Sequence, residues 1–361
     1  MSRNPIATVS ASDEILFERR GAAGVVTLNR PKVLNAVSHA MVLALRAQLD
    51  AWAQDAAVTR VVIMAAGERA FAAGGDIRHL YELGKAGRTG DALQFWRDEY
   101  PLNALIKNYR KSYVALIDGI AMGGGVGVSV HGSHRVAGDR FSFAMPEVGI
   151  GFFPDVGATW FLTRLPGELG AFCGLTGERS NGADALAAGI VTHRVPSARF
   201  PALLEGLAGS VPVDAVLAAF NEPGTGEGPI WARRAAIDRL FAGERVEDIL
   251  AALDREASSG SPDAAWAGQT AATLRTKSPL SLKIALAQVR RGKALDFAAC
   301  MRTEFRIVSR VIEGHDFYEG VRAVIVDKDN RPNWRPAALA DVSAAEVERH
   351  FAPLKQELAL P

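Results

Sequence analysis

Cysteine is nearly absent: Cys173 and Cys300 are the only two in 361 residues, too few for a disulfide framework and consistent with a reducing compartment. No charge sign is in surplus either, since 41 Lys and Arg face 40 Asp and Glu for a formal net charge of +1. Displacing counterions from phosphate takes excess cations, so a nucleic-acid partner is not expected. The chain has no run of 18 apolar residues; Asp118 interrupts the best stretch, 113–130, and no membrane association is expected. The first twenty residues lack the central apolar run of a signal peptide, and Asp13 and Glu14 are unlike a transit peptide. The expectation is a cytoplasmic protein, or a mitochondrial matrix one in a eukaryote. Also missing are the phosphate loop GxxxxGK[ST] and the nucleophile elbow GxSxG.

What the chain has in excess is glycine, 35 residues or close to one in ten. The remaining composition, 48% hydrophobic and 22% charged, is that of an ordinary globular protein. Residues 15–20 and 24–29 read as two short strands joined by a turn from Gly21 to Gly24. Ser38 is placed to cap a helix carrying Met41, Leu45, Leu49 and Trp52 on one face. RVVIMAAG (60–67) and YVALIDG (113–119) read as buried strands either side of a helical stretch at about 88–110. The alternation continues through SFAMP (142–146), a helical stretch at 157–175, and IVTHRV (190–195). It predicts an α/β fold with a mostly parallel sheet. Past residue 200 the strand pattern stops. The chain then reads as helical to about 325, with a tail from 330 bearing one short helix at about 343–351. The expected units are a core over 1–200, a helical region over 201–335 and a tail over 336–361.

The glycines gather just after predicted strands, as Gly74-Gly75 and as Gly123-Gly124-Gly125 with Gly127. In α/β folds ligands bind at the carboxyl ends of strands, and glycine lets backbone N–H groups come close to them. Two such loops are able to aim two N–H groups at one oxygen, which is an oxyanion hole. The pattern alone leaves tight turns and a catalytic role open. In MPEVGIGFFPDVGATW (145–160), Glu147 and Asp155 lie among Val148, Ile150, Phe152 and Phe153. Such surroundings desolvate a carboxylate and raise its pKa, which suits acid–base or nucleophilic work. Asp155 is also placed to cap a helix beginning near 157. His131 and His134 form HxxH without a Cys or acidic ligand at zinc spacing, so no metal is expected and a helix packed on the core is the plainer reading. Both cysteines read as small core residues. Arg290, Arg291 and Lys293 read as a solvated face.

FAAGGDI (71–77), AMGGGVG (121–127) and MPEVGIGFFPDVG (145–157), in this order and spacing, resemble the enoyl-CoA hydratase/isomerase (crotonase) superfamily. TGERSNGADALAAGIV (176–191), SPLSLKIALAQ (278–288) and EGVRAVIVDK (319–328) extend the resemblance over most of the chain. RDEY (97–100), GGGVGVSVHG (123–132), FPDVG (153–157) and GHDFYEGVRAVIVDKD (314–329) are similar to the branch that hydrolyses the thioester of 3-hydroxyisobutyryl-CoA in valine breakdown. The resemblance implies a ClpP/crotonase-type spiral of ββα units with a helical C-terminal region. It implies an acyl-CoA substrate, no cofactor beyond the CoA of that substrate, and a homo-oligomer, whether trimer, hexamer or dimer. Carried over by residue, it places the backbone N–H groups of Gly75 and Gly124 in the oxyanion hole, and Glu147 and Asp155 as the catalytic carboxylates. Glu99 falls on an acidic residue near the substrate, and Asp76, Ile77 and Arg78 continue the strip lining the acyl-thioester site. The backbone of 32–35 falls beside the CoA chain. The resemblance also allows Arg290, Arg291 and Lys293 to meet CoA phosphates.

One departure bears on the chemistry. Hydratases of the family carry a glutamate shortly after the triple glycine, where this chain has Gly127, while Asp155 stands where hydratases have glycine. Hydration uses two opposed carboxylates sharing one water, so losing one of them favours hydrolysis over the alternative, an enoyl-CoA hydratase or isomerase. A CoA binder without chemistry and an RNA-binding member of the family are the readings outside enzymology. The retained carboxylates oppose the first and the +1 charge opposes the second.

Overall fold

The computed structural model describes residues 13–222, 224 and 226–360, so the leader reading lies outside the described residues over 1–12. The expected hairpin is present: β1 (Ile15–Arg20) pairs antiparallel with β2 (Ala23–Leu28), and Gly21 takes a φ of +53° in the turn. From β2 the sheet continues in parallel through β3 (Arg60–Ala65), β5 (Ser112–Ile117), β7 (His134–Ala137) and β9 (His193–Arg194). A second, three-stranded parallel sheet holds β4 (Ala70–Ala72), β6 (Ile120–Met122) and β8 (Ser142–Ala144). Chain order therefore alternates between sheets: β3 then β4, β5 then β6, β7 then β8. Each step enters the large sheet, crosses to the small one and leaves through a loop or helix. This is the ββα spiral, and solved structures of the same architecture are described below.

The strands read as apolar runs because both faces of the large sheet are covered. On β3, Val61 and Ile63 point into the main core and Val62 into a second one on the opposite face. The main core includes the helix His39–Gln54, which buries Met41, Leu45, Leu49 and Trp52 as its spacing predicts, and Ser38 caps it by accepting from the Met41 N–H. The second core sets Val25, Val62, Val114 and Leu116 against Leu203, Leu204 and Leu207 of the helix Phe200–Ala208 and Val216 and Leu217 of the helix Val213–Phe220. Burying each such side chain contributes about 1.5–3 kcal/mol relative to exposing it.

Several local expectations need correction. The stretch 157–175 is not one helix: it breaks into Ala158–Phe161, Leu162–Arg164 and Leu169–Thr176, because Pro166 and Gly167 (φ +56°) interrupt it. The strand expected over 190–195 shrinks to His193–Arg194. His131 and His134 do not share a helix, for His134 begins β7 and pairs with Asp214, while His131 turns inward to the Val156 carbonyl. After β9 the described residues form helices and no further strand, and the tail helix is present at Ala344–Phe351. Cys173 and Cys300 are buried in helices, as expected. Among the described residues no helix is long and apolar enough to cross a membrane.

Candidate active site

The small sheet builds the site. Its register pairs Ala72 with Ala121, and Met122 with Ala144, so the segments that follow the three strands emerge side by side. Those segments are Gly74-Gly75, Gly123-Gly124 and Pro146-Glu147, and all three line one cleft of about 570 Å³. Their approach is close and favours glycine. Gly123 has φ +44° and ψ −123°, and a β-carbon on Gly124 would sit 3.1 Å from the Gly75 nitrogen and 3.0 Å from Glu99 Oε1. Among the described residues, neither the Gly75 nor the Gly124 N–H has an acceptor within the protein. Both glycines line the same cleft, on neighbouring loops.

Beside them stand carboxyl groups that are nearly dry. Glu147 and Asp155 are 6% and 5% exposed, and Glu99 is 1% exposed. One oxygen of Glu147, Oε2, and one of Glu99, Oε1, have no hydrogen-bond partner. Asp155 Oδ2 accepts from the Tyr100 hydroxyl at 2.9 Å. Burial, then the charge of Asp155, holds the Glu147 carboxyl well above the usual carboxylate range. Burial, then Asp155 and Glu304, does the same to Glu99. Asp155 is pushed up to about 7 by burial, with the Tyr100 hydrogen bond opposing the rise. Burial and mutual repulsion both disfavour ionising these acids together, the environment in which acid–base groups are tuned. The apolar walls are Phe95, Trp96 and Phe152, the last two stacked with ring centroids 5.6 Å apart.

Asp76, Ile77 and Arg78 line the cleft, yet two of them have structural duties. Asp76 caps the helix Ile77–Lys85 by accepting from the His79 N–H and pairs with Arg30 at 3.0 Å. Arg78 donates to the Ile325 carbonyl at 2.7 Å, tying one lip of the cleft to the C-terminal segment. Val33 sits at the mouth, and Asn35 fixes its loop by donating to the carbonyls of Ala66 and Ala70, both at 2.9 Å. Asp155 is not a helix cap: its side chain goes to Tyr100, and the short helix Ala158–Phe161 has Gly157 at its N-cap and no side-chain cap. Arg290 is not a solvated residue either, since Glu168 and the carbonyls of Phe241 and Gly243 hold it. Arg291 pairs with Glu348, and neither arginine lines the cleft. The basic group that does line it, besides Arg78, is Lys277, whose ammonium burial pushes down in pKa.

Sequence reading missed Tyr100, Trp96, Asn103, Gln288, Glu304 and Lys277. Tyr100 was in view within RDEY, and Glu304 had a signal, an acid among Cys300, Met301, Phe305 and Val308 on the buried side of its helix. The Gly127 position is filled: a β-carbon there would lie 2.8 Å from Val156 Cβ and 2.9 Å from Asn103 Nδ2. A glutamate has no room. Gly127→Ala is therefore expected to destabilise the protein by about 1–3 kcal/mol through overpacking, read as a lower melting temperature. Gly127→Glu is expected to yield no crotonyl-CoA hydration, read as unchanged enoyl absorbance.

Comparison with known proteins agrees with this architecture. Residues 23–351 match the family model described as enoyl-CoA hydratase/isomerase. A "3-hydroxyisobutyryl-CoA hydrolase, mitochondrial" from Danio rerio is 44% identical, over 96% of this chain and 91% of that protein. A protein of the same name from Rattus norvegicus is 45% identical, over 94% and 89%. A crystal structure described as a carnitinyl-CoA dehydratase from Mycobacterium thermoresistibile superposes with a TM-score of 0.90 at 42% identity, covering 96% of this chain and 99% of that one. With the spiral of paired strands, the glycine loops and a family match spanning most of its length, the chain belongs to the enoyl-CoA hydratase/isomerase family.

Proposed function

We propose that this enzyme hydrolyses the thioester of 3-hydroxyisobutyryl-CoA, or of a similar short 3-hydroxyacyl-CoA, to the free acid and CoA. Full-length relatives bearing the hydrolase name support the reaction class. The observation that carries the reading is the second carboxylate: Asp155 joins Glu147 in the cleft that Gly75 and Gly124 line, while Val156 and Asn103 fill the space at Gly127. In this reading the thioester oxygen sits between the two N–H groups, which stabilise the negative charge that develops on it. Glu147 either attacks the carbonyl carbon, forming a mixed anhydride as the CoA thiolate leaves, or takes a proton from the attacking water. Asp155 holds the 3-hydroxyl or positions the hydrolytic water. The carboxylates and backbone donors supply the chemistry, so the reading calls for no metal and no cofactor. The cytoplasm is kept as the working compartment within this proposal.

Incubating the enzyme separately with 3-hydroxyisobutyryl-CoA and crotonyl-CoA tests the assignment. The expected result is release of free thiol from the first and no loss of enoyl absorbance from the second. Fast hydration without thiol release would overturn it in favour of the rival, an enoyl-CoA hydratase. Within the hydrolase reading, Asp155→Gly is expected to abolish thiol release while acyl-CoA still binds, measured by calorimetric titration. Retained turnover in that variant would remove Asp155 from the chemistry.

A further inference from the structure

The loop that presents Asp155 is strained. Val156, a β-branched residue, has φ +53°, and Gly157 follows at +91°. Backbone of this kind persists only where its surroundings over-determine it. Three buried side chains from distant parts of the chain do so. Gln288, 1% exposed, donates through Nε2 to the Pro154 carbonyl and to Thr159 Oγ1, both at 2.6 Å. His131 donates from Nε2 to the Val156 carbonyl at 2.7 Å; burial pushes its pKa down to about 4, which keeps the ring neutral. Glu304, 0% exposed, accepts from the Gly157 N–H at 2.7 Å on one oxygen and from the Thr159 N–H at 2.8 Å on the other. None of the three lines the cleft.

We propose that Glu304, with Gln288 beside it, is a positioning residue that holds the Asp155 loop in its strained, catalytically competent form. The chemistry of Glu304 fits that duty. Two N–H groups converge on its two oxygens, and only a carboxyl group offers an acceptor at both; a glutamine would turn an NH₂ toward one of them. The acid is costly, since burial first, against the Gly157 hydrogen bond, raises the Glu304 pKa to about 8. Catalysis is sensitive to such anchoring because a displacement of about 1 Å at a reacting group costs on the order of 10²-fold in rate.

The inference rests on the hydrolase reading, and a double-mutant cycle separates the two. Thiol release from 3-hydroxyisobutyryl-CoA is measured for wild type, Glu304→Gln, Asp155→Asn and the double variant, with each rate normalised to folded protein. The expected pattern is a fall in kcat of about ten-fold or more for Glu304→Gln with KM nearly unchanged, and almost no further fall when it is added to Asp155→Asn. An inactive wild type, or an unaffected Asp155→Asn, overturns the hydrolase reading or its use of Asp155. An active wild type with a crippled Asp155→Asn and an unimpaired Glu304→Gln overturns this inference alone. So does an equal loss in both backgrounds, which marks a global structural role. If Glu304→Gln does not fold, Gln288→Met, which removes the donations to Pro154 and Thr159, must reproduce the same non-additive pattern, and failure to do so overturns the inference.

Discussion

A Glu147→Gln enzyme is expected to lose thioester hydrolysis by about 10²–10⁴-fold while still binding acyl-CoA. The substitution keeps the shape of the side chain and removes its capacity to attack a carbonyl or accept a proton. Thiol release at saturating substrate measures the first half and calorimetric titration the second; a turnover near that of wild type would falsify the assignment. The wild-type pH profile adds a sign. Burial and Asp155 raise the Glu147 pKa, so the ionised form that hydrolysis requires appears only at higher pH than for an ordinary glutamate. The acid limb of kcat/KM is therefore expected above the usual carboxylate range, and a limb near pH 4 would contradict it. Stability runs the opposite way. A carboxyl raised in the folded state contributes most below its unfolded pKa, about 4.3, and loses that contribution as pH rises through the folded value. Glu147→Gln is expected to melt higher than wild type at pH 8, with the gain shrinking toward pH 4.

Gly124→Ala is expected to lower turnover by about 10²–10³-fold, the loss typical of disabling one oxyanion donor. The added methyl would stand 3.1 Å from the Gly75 nitrogen and 3.0 Å from Glu99 Oε1, in the space between the two loops that the proposed oxyanion site uses. Gly124 opens a short helical turn, Gly124–Gly127, so alanine suits its backbone and folding is expected to survive. Thermal unfolding with thiol release distinguishes the cases. A normal melting temperature with lost turnover supports the two-donor site, whereas normal turnover removes Gly124 from it.

Much of this site was legible in sequence because its chemistry is local. Gly74-Gly75, Gly123-Gly124 and Glu147 each follow a strand directly, and a glycine pair or a lone acid in an apolar stretch is conspicuous there. Asp155 was visible for the same reason, although its partner was not: Tyr100 is 55 residues away, and nothing in either segment marks the pair. Glu304 meets the Gly157 N–H across 147 residues and Gln288 the Pro154 carbonyl across 134, contacts set wholly by how the helices pack. The strands β4, β6 and β8 escaped or were blurred because each has three residues, too short to display a period of two. Arg290 was misread because a cation near a chain of polar residues looks solvated until its carboxylate and carbonyl partners are placed around it.

The three-stranded sheet has one more consequence. Neighbouring strands lie roughly 4.8 Å apart wherever backbone ladders form, so the gap between the Gly75 and Gly124 loops is inherited from β4 and β6 and owes little to side chains. The apolar walls of the cleft, Phe95, Trp96 and Phe152, come from other elements, a helix and a loop. Activation of the thioester and choice of acyl group are thus separable traits. On the proposed reading, substitutions in the walls retune the substrate while the spacing of the two glycine loops stays set by the strand ladder.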